Sequence, residues 1–322
     1  VKLTPVNEQS IAHAAELLHQ GHLVAFPTET VYGLGADASN PTAVAKIFAT
    51  KGRPDDHPLI VHIASAGQID DWAETTPETA VKLAEAFWPG PLTIILNKKT
   101  NVPLAVTGGQ NTIALRIPAN PVALQLLRAF GGGVAAPSAN RFGHISPTQA
   151  SHVAEELGDS IACILDGGPC SVGVESTIID LTDDQPTILR PGRITRSQLK
   201  AVLQTEIRLS SQSKTRAPGM LAVHYAPNTM SLLCPAETLN AMIDDLCAKG
   251  KRIGVLAFSQ TAAALPCPHL IRLPNQSEHY ETELYSSLRE LDNLQLDMIL
   301  IEQPPENEAW AAVNDRLGKA TV

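Results

Sequence analysis

The sequence predicts an α/β fold built on a mixed sheet, from three observations. Helical and strand-like periodicities interleave along most of the 322 residues. Several strand-like runs, such as Leu59 to Ile63, are continuously apolar and read as buried strands. Between the runs Leu92 to Leu96 and Thr112 to Ile117 lies the Gly-rich turn Gly108-Gly109, and so short a connection implies antiparallel pairing within the sheet.

The elements follow in order. Asn7 to Gln20 reads as a helix, because Ile11, Ala14, Ala15 and Leu18 recur at helical spacing and Gly21 ends it. His22 to Phe26 is a strand. Pro41 to Thr50 is a helix with Asn40 as its cap and Pro41 in its first turn. After the strand Leu59 to Ile63 comes a helix from Pro77 to Phe87, stopped by Trp88-Pro89-Gly90-Pro91. Pro121 to Phe130 and Thr148 to Leu157 are helices. Val134 to Ala136, Ile161 to Leu165, Ser176 to Asp180 and Thr187 to Leu189 are strands.

A polar, aperiodic run from Ser210 to Arg216 reads as a linker. The following Ala217 to Pro227 is less ordinary, because Met220, Leu221, His224 and Tyr225 stand among turn residues. Beyond it, strands at Met230 to Cys234, Arg252 to Phe258, His269 to Leu273 and Met298 to Glu302 alternate with helices at Leu239 to Ala248, Glu281 to Leu291 and Glu308 to Leu317. That pattern predicts a smaller, Rossmann-like α/β domain. The expected division is 1–209, a linker at 210–228, and 229–322.

Net charge is −9 and argues against broad nucleic-acid binding. Residues 1–228 hold 17 Lys+Arg against 20 Asp+Glu, whereas residues 229–322 hold 7 against 13, so the acidic excess sits in the tail. Apolar content of 44% with 18% charged residues is that of a globular protein. No run has the length of a membrane helix, and the first residues lack a signal-peptide core. Five scattered cysteines show neither metal spacing nor a disulfide pattern, so a reduced, cytoplasmic setting is expected.

Three segments carry chemistry. Lys51-Gly52-Arg53-Pro54 places two cations beside the strand Leu59 to Ile63, which suits an anionic ligand. Pro27-Thr28-Glu29-Thr30-Val31-Tyr32-Gly33-Leu34-Gly35 gathers hydroxyls, one carboxylate and two glycines at a strand exit. Ala135-Ala136-Pro137-Ser138-Ala139-Asn140 follows Gly131-Gly132-Gly133 and offers polar groups at alternate positions. Ligands of open α/β sheets collect at such strand ends. Neither a Walker loop nor a dinucleotide fingerprint is present.

Lys51-Gly52-Arg53 with Ser138-Ala139-Asn140 resembles the lysine-x-arginine and serine-x-asparagine signature of the YrdC-like family. Leu115-Arg116-Ile117-Pro118, Ser146-Pro147-Thr148, Val174-Glu175-Ser176-Thr177 and Arg190-Pro191-Gly192 fit the same family in the same order. Pro218-Gly219-Met220, His224-Tyr225-Ala226-Pro227 and Asn314-Asp315-Arg316-Leu317 resemble its long, two-domain form, the threonylcarbamoyl-AMP synthases with an extra C-terminal domain. The resemblance implies a YrdC-like twisted mixed sheet in the larger part. It also implies adenylyl transfer: ATP with Mg2+, L-threonine and bicarbonate give threonylcarbamoyl-AMP and pyrophosphate, the first step of tRNA threonylcarbamoyladenosine formation. A separate transferase complex then serves the tRNA, which this step does not require.

The resemblance also assigns roles. Lys51 and Arg53 would act on the ATP phosphates and carry catalysis. His57, Thr112, Ser138, Asn140, Ser146, Arg190 and Tyr225 would bind ATP, with Tyr225 closing over it from the linker. Thr30, His62, Arg116, Ala136 and Ser176 would bind threonine, with Tyr32 nearby and Arg116 on its carboxylate. Arg116 could instead pair with an internal acid, and His62 could be a core histidine. No metal ligand is assigned. His57 stands where the family often has Asn, and Phe142 where it often has Ser. The competing readings are an RNA-binding or a regulatory ATP-binding module of the same fold. A hydrogenase-maturation type of carbamoyl transferase is disfavoured, because its zinc-type cysteine pairs are missing.

Overall fold

The computed structural model describes residues 3–210, 215–220, 224–259, 267 and 269–321. By its contacts the chain forms two units. The first comprises Val1–Phe142, Pro147–Ser171 and Glu175–Met220; the second comprises Gly143–Ser146, Val172–Val174 and Leu221–Val322. Ser211 to Lys214 of the expected linker, and Leu221 after it, lie outside the described residues.

The first unit runs β1 (Leu3–Pro5), α1 (Glu8–His19), β2 (Val24–Phe26), β3 (Gly33–Asp37), α2 (Pro41–Lys51), β4 (Ile60–His62), α3 (Ile69–Trp72), α4 (Glu78–Phe87), β5 (Leu92–Asn97), α5 (Leu104–Thr107), β6 (Thr112–Arg116), α6 (Pro121–Phe130), β7 (Val134–Ala135), α7 (Ala150–Leu157), β8 (Cys163–Asp166), β9 (Thr177–Asp180), β10 (Thr187–Arg190), α8 (Arg196–Leu203) and β11 (Arg208–Leu209). Its eleven strands form one sheet in the order β1-β8-β2-β3-β7-β4-β6-β5-β9-β10-β11. The sheet is mixed. β4 pairs parallel with β6 and antiparallel with β7, and β5 pairs antiparallel with β6. A short helix, α5, stands in the connection that the sequence presents as a turn.

Helix ends follow local chemistry. Asn40 caps α2 by accepting from the N–H groups of Thr42 and Ala43, and Pro41 occupies the first turn. Asn120 and Pro121 repeat the arrangement in α6. β1, β3, α3, α8 and β11 are not evident from periodicity. β3 reads Gly-Leu-Gly-Ala-Asp, a composition with little strand preference, and forms because β2 and β7 flank it. Gly35 is needed there, since a Cβ would lie 2.9 Å from the side chains of Phe26 and Val134.

Alternation along the central strands separates two faces. Val61, Ile94, Leu96, Ile113, Leu115 and Ile179 belong to the main core with α2 and α4 residues such as Val44, Ile47 and Leu83. The opposite face carries Ile60, Ile95, Ala114, Ile178 and Leu189, a small apolar cluster joined by Ala217. The same alternation puts His62, Thr93, Thr112 and Arg116 on this second face.

The second unit contains β12 (Ser231–Cys234), α9 (Ala236–Ala248), β13 (Ile253–Ala257), β14 (Leu270–Arg272), α10 (Ser277–Asp292), β15 (Met298–Glu302) and α11 (Ala311–Ala320). Its four-stranded sheet has the order β12-β15-β13-β14 and is parallel throughout. A parallel sheet is what the alternating strands and helices imply, with the last strand, β15, inserted between β12 and β13. Gly143 to Ser146 belongs to this unit: Ala226 N–H donates to the Gly143 carbonyl at 2.9 Å, and Arg289 donates to that of Ile145.

Candidate functional site

The site builds outward from α2. Its last residue is Lys51, and Gly52 ends it in the left-handed region at φ 64°. That turn brings Arg53 N–H onto the Phe48 carbonyl at 3.0 Å. The glycine between the two cations is therefore a helix terminator, and any Cβ-bearing residue would be strained there. Both cations turn inward, Lys51 4% exposed and Arg53 9%. The Lys51 ammonium donates to the carbonyl of Ser138 at 2.6 Å and to that of Asn140. Two of its three donors thus brace the turn after β7. Arg53 Nη2 donates to the Pro58 carbonyl at 2.9 Å, which ties the cation pair to the approach of β4. Burial, and next the Arg53 charge, hold the Lys51 pKa well below its ordinary value.

His57 lies on the loop between these elements. Its ring meets Phe142 edge to face at 5.6 Å, and burial followed by the Arg53 charge lowers its pKa. Asn140 is buried, with Nδ2 donating to the Arg141 carbonyl at 2.8 Å.

The second cluster centres on Arg116 at the end of β6. It is 3% exposed, and its guanidinium has three anchors: Nε to the Gly90 carbonyl at 3.2 Å, Nη1 to Thr30 Oγ1 at 2.9 Å, and Nη2 to Glu29 Oε1 at 2.5 Å. Glu29 Oε2 accepts from Ala119 N–H at 3.0 Å. The internal acid considered for Arg116 is thus Glu29. Three of the five guanidinium donors are used, leaving one N–H on each Nη for a further acceptor among the described residues. Thr30 is held in turn by Thr28, whose Oγ1 lies 2.8 Å from its own.

His62 pairs in register with Arg116 across β4 and β6. Burial and the neighbouring Arg116 charge push its pKa down to about 3, so the ring is neutral at ordinary pH. Its Nδ1 is buried with no hydrogen-bond partner among the described residues. Ala136 is buried one strand away, its N–H on the Ile60 carbonyl at 3.0 Å. Tyr32 belongs to the main core, and its hydroxyl donates to the Gly168 carbonyl at 2.7 Å.

The third cluster joins Ser176 and Arg190. Arg190 donates from Nε to the Ser176 carbonyl at 3.0 Å, from Nη2 to Ser176 Oγ at 3.1 Å and from Nη1 to the Pro218 carbonyl at 3.1 Å. Ser176 Oγ also lies 2.8 Å from Thr93 Oγ1. Gly192 permits the approach, because a Cβ there would stand 2.4 Å from Thr177 N.

The first unit therefore brings together Lys51 with Ser138 and Asn140, Thr30 with Arg116, and Ser176 with Arg190. Thr112 lies on the same face of β6 as Arg116. Ser146 and Tyr225 belong to the second unit. There Tyr225 is buried at φ 62°, its ring 5.9 Å from that of Tyr285 and 5.4 Å from the Arg316 guanidinium carbon. Sequence reasoning singled out neither Glu29 nor Thr93 as a site residue. Their signals are a lone carboxylate at a strand exit and a lone hydroxyl in the apolar run of β5.

Three clusters on the first unit hold three buried arginines and a buried lysine beside hydroxyls, a makeup that suits small anionic ligands, with no nucleophile–base pair in evidence among these residues. Comparison with known proteins gives the family. A family described as "Telomere recombination" matches residues 16–192, and the family "Threonylcarbamoyl-AMP synthase, C-terminal domain" matches residues 194–322. The chain is 44% identical to the threonylcarbamoyl-AMP synthase of Bacillus subtilis, covering 98% of this chain and 93% of that one. It is 42% identical to the Pyrococcus abyssi threonylcarbamoyl-AMP synthase, covering 98% and 95%. The crystal structure of P. abyssi Sua5 complexed with L-threonine superposes with a TM-score of 0.94 at 40% identity, covering all of this chain and 98% of the other. The chain belongs to the threonylcarbamoyl-AMP synthase family.

Proposed function

We propose that the chain condenses L-threonine, bicarbonate and ATP to threonylcarbamoyl-AMP and pyrophosphate, the first step toward threonylcarbamoyladenosine in tRNA. The observation that carries the reading is the buried Arg116 guanidinium, with one donor remaining on each Nη among the described residues, on the same unit as the Lys51-Arg53 turn. Arg116 takes the threonine carboxylate, with Thr30, His62, Ala136 and Ser176 around the rest of the amino acid. A neutral His62 can exchange a hydrogen bond with a hydroxyl without adding charge.

The amine of threonine and bicarbonate give a carbamate and water. A carbamate oxygen then attacks the α-phosphorus, its new P–O bond replacing the bond to the departing pyrophosphate. Both partners are anions, so the catalytic need is alignment and charge neutralisation. Arg53 and Arg190 supply fixed positive charge. Among the described residues Lys51 has one donor left beyond its two carbonyls. His57, Thr112, Ser138 and Asn140 complete the nucleotide set of the first unit. ATP enters as its magnesium complex. Among the described residues no three His, Cys, Asp or Glu side chains cluster as a metal cage.

The reading divides the chain into a catalytic domain at 1–209, a linker and lid at 210–228 and a C-terminal domain at 229–322. Burial of Ala217 in the sheet-face cluster supports docking of the start of that linker on the catalytic domain. The product passes to a separate tRNA-modifying transferase, and tRNA is not needed for the step. No described helix is long and apolar enough to cross a membrane. The proposal puts the reaction in the cytoplasm, the setting that the scattered cysteines suggest.

The test is direct. The purified chain with ATP, Mg2+, L-threonine and bicarbonate releases pyrophosphate and forms the mixed anhydride without tRNA. Pyrophosphate release that continues unchanged when threonine is omitted refutes the proposal.

A further inference from the structure

We infer that Glu29 is the positioning residue of the Arg116 fork, an assignment that rests on reading Arg116 as the clamp for the threonine carboxylate. Glu29 and Arg116 are both buried, 6% and 3% exposed, and meet at 2.5 Å through Oε1 and Nη2. The other carboxylate oxygen accepts from Ala119 N–H at 3.0 Å. One side chain therefore holds both the guanidinium and the chain leaving β6, three residues beyond Arg116. The remaining anchors, Gly90 carbonyl and Thr30 Oγ1, are neutral. Glu29 is the charged member of the set. With all three in place, the guanidinium plane is fixed while, among the described residues, one N–H on each Nη remains for a ligand.

The sign of the effect follows from electrostatics. A substrate carboxylate brings a second anion to a guanidinium that already has one, so Glu29 repels what Arg116 attracts. A carboxylate here favours binding only if fixing the fork outweighs that repulsion. Removing its charge separates the two effects. If Glu29 positions Arg116, threonine binds more weakly without it. If Glu29 only neutralises a buried cation, threonine binds equally or more tightly once the competing anion is gone.

The experiment is calorimetric titration of the full chain with L-threonine and, separately, with ATP. It compares wild type, Glu29→Gln, Arg116→Lys and the double variant. Positioning predicts that Glu29→Gln weakens threonine binding about tenfold or more, leaves ATP affinity within about twofold, and adds less than about threefold in the Arg116→Lys background, since coupled residues are not additive. Unchanged or tighter threonine binding by Glu29→Gln, with Arg116→Lys still impaired, overturns the positioning role and leaves the clamp standing. Unchanged threonine binding by Arg116→Lys removes the clamp itself. Should Glu29→Gln fail to fold, Glu29→Asp keeps the charge but shortens the reach by one methylene. A selective loss of threonine affinity in that variant supports the assignment, and an equal loss for ATP and threonine overturns it.

Discussion

Acid should destabilise this fold partly through one imidazole, and His62→Gln should remove that part. His62 is 3% exposed, its Nδ1 lacks a partner among the described residues, and Arg116 is its register neighbour. Its folded pKa of about 3 lies far below its ordinary value of 6.5. The unfolded chain therefore binds a proton at His62 that the folded chain refuses, from pH 6.5 down to about 3. The stability it contributes is present above pH 6.5, is lost progressively below it, and levels off once the pH falls below about 3. At full effect the slope is about 1.4 kcal/mol per pH unit, so acidification from pH 6.5 to 4.5 costs at most roughly 2.7 kcal/mol through this group. Glutamine does not titrate. His62→Gln starts less stable, because a packed ring is lost, but it should lose up to that much less over the same interval. Urea unfolding of both proteins between pH 4.5 and 7.5 gives the two slopes, and carboxylates common to both cancel in the difference. Parallel stability curves would refute a buried, neutral His62.

Other perturbations separate the clusters. Arg116→Ala should impair threonine use by about 2–4 kcal/mol in threonine-dependent kcat/KM, with ATP binding largely kept, while Lys51→Ala and Arg53→Ala shift the defect to the nucleotide; the opposite pattern in steady-state kinetics reverses the role assignments. Gly192→Ala should destabilise the first unit by at least about 1–3 kcal/mol, because the new Cβ overlaps the β9 backbone and pushes Arg190 from Ser176; an unchanged melting temperature contradicts the close approach. Ending the chain after Ser210 should lower synthase activity while the remaining domain stays folded by circular dichroism, and restoring the segment to Pro227 should recover part of it; full activity of the short form rules out a lid.

Much of this molecule is written locally. Asn40-Pro41 and Asn120-Pro121 announce helix starts, since a capping side chain and a fixed φ act within one turn. The strands β4, β5, β6 and β15 are apolar runs whose burial needs no knowledge of their neighbours. The segments that supply Lys51, Arg53, Ser138, Asn140 and Arg116 are also legible, because glycines and polar groups at strand ends mark places where a ligand can approach.

Tertiary structure decided what short-range rules do not reach. β3 is a strand although its glycines disfavour it, because two flanking strands complete its hydrogen bonds and leave no room for larger side chains. Ser138 and Asn140 are seen from sequence as side chains, yet their backbone carbonyls receive Lys51 across 87 and 89 positions of chain. Glu29 looks like one acid among polar neighbours until the fold sets it against Arg116, 87 residues away. Propensity, capping and alternation act over a few residues and so can be read from the chain alone. A buried charge finds its partner only when distant strands are brought side by side, and that pairing builds the candidate site.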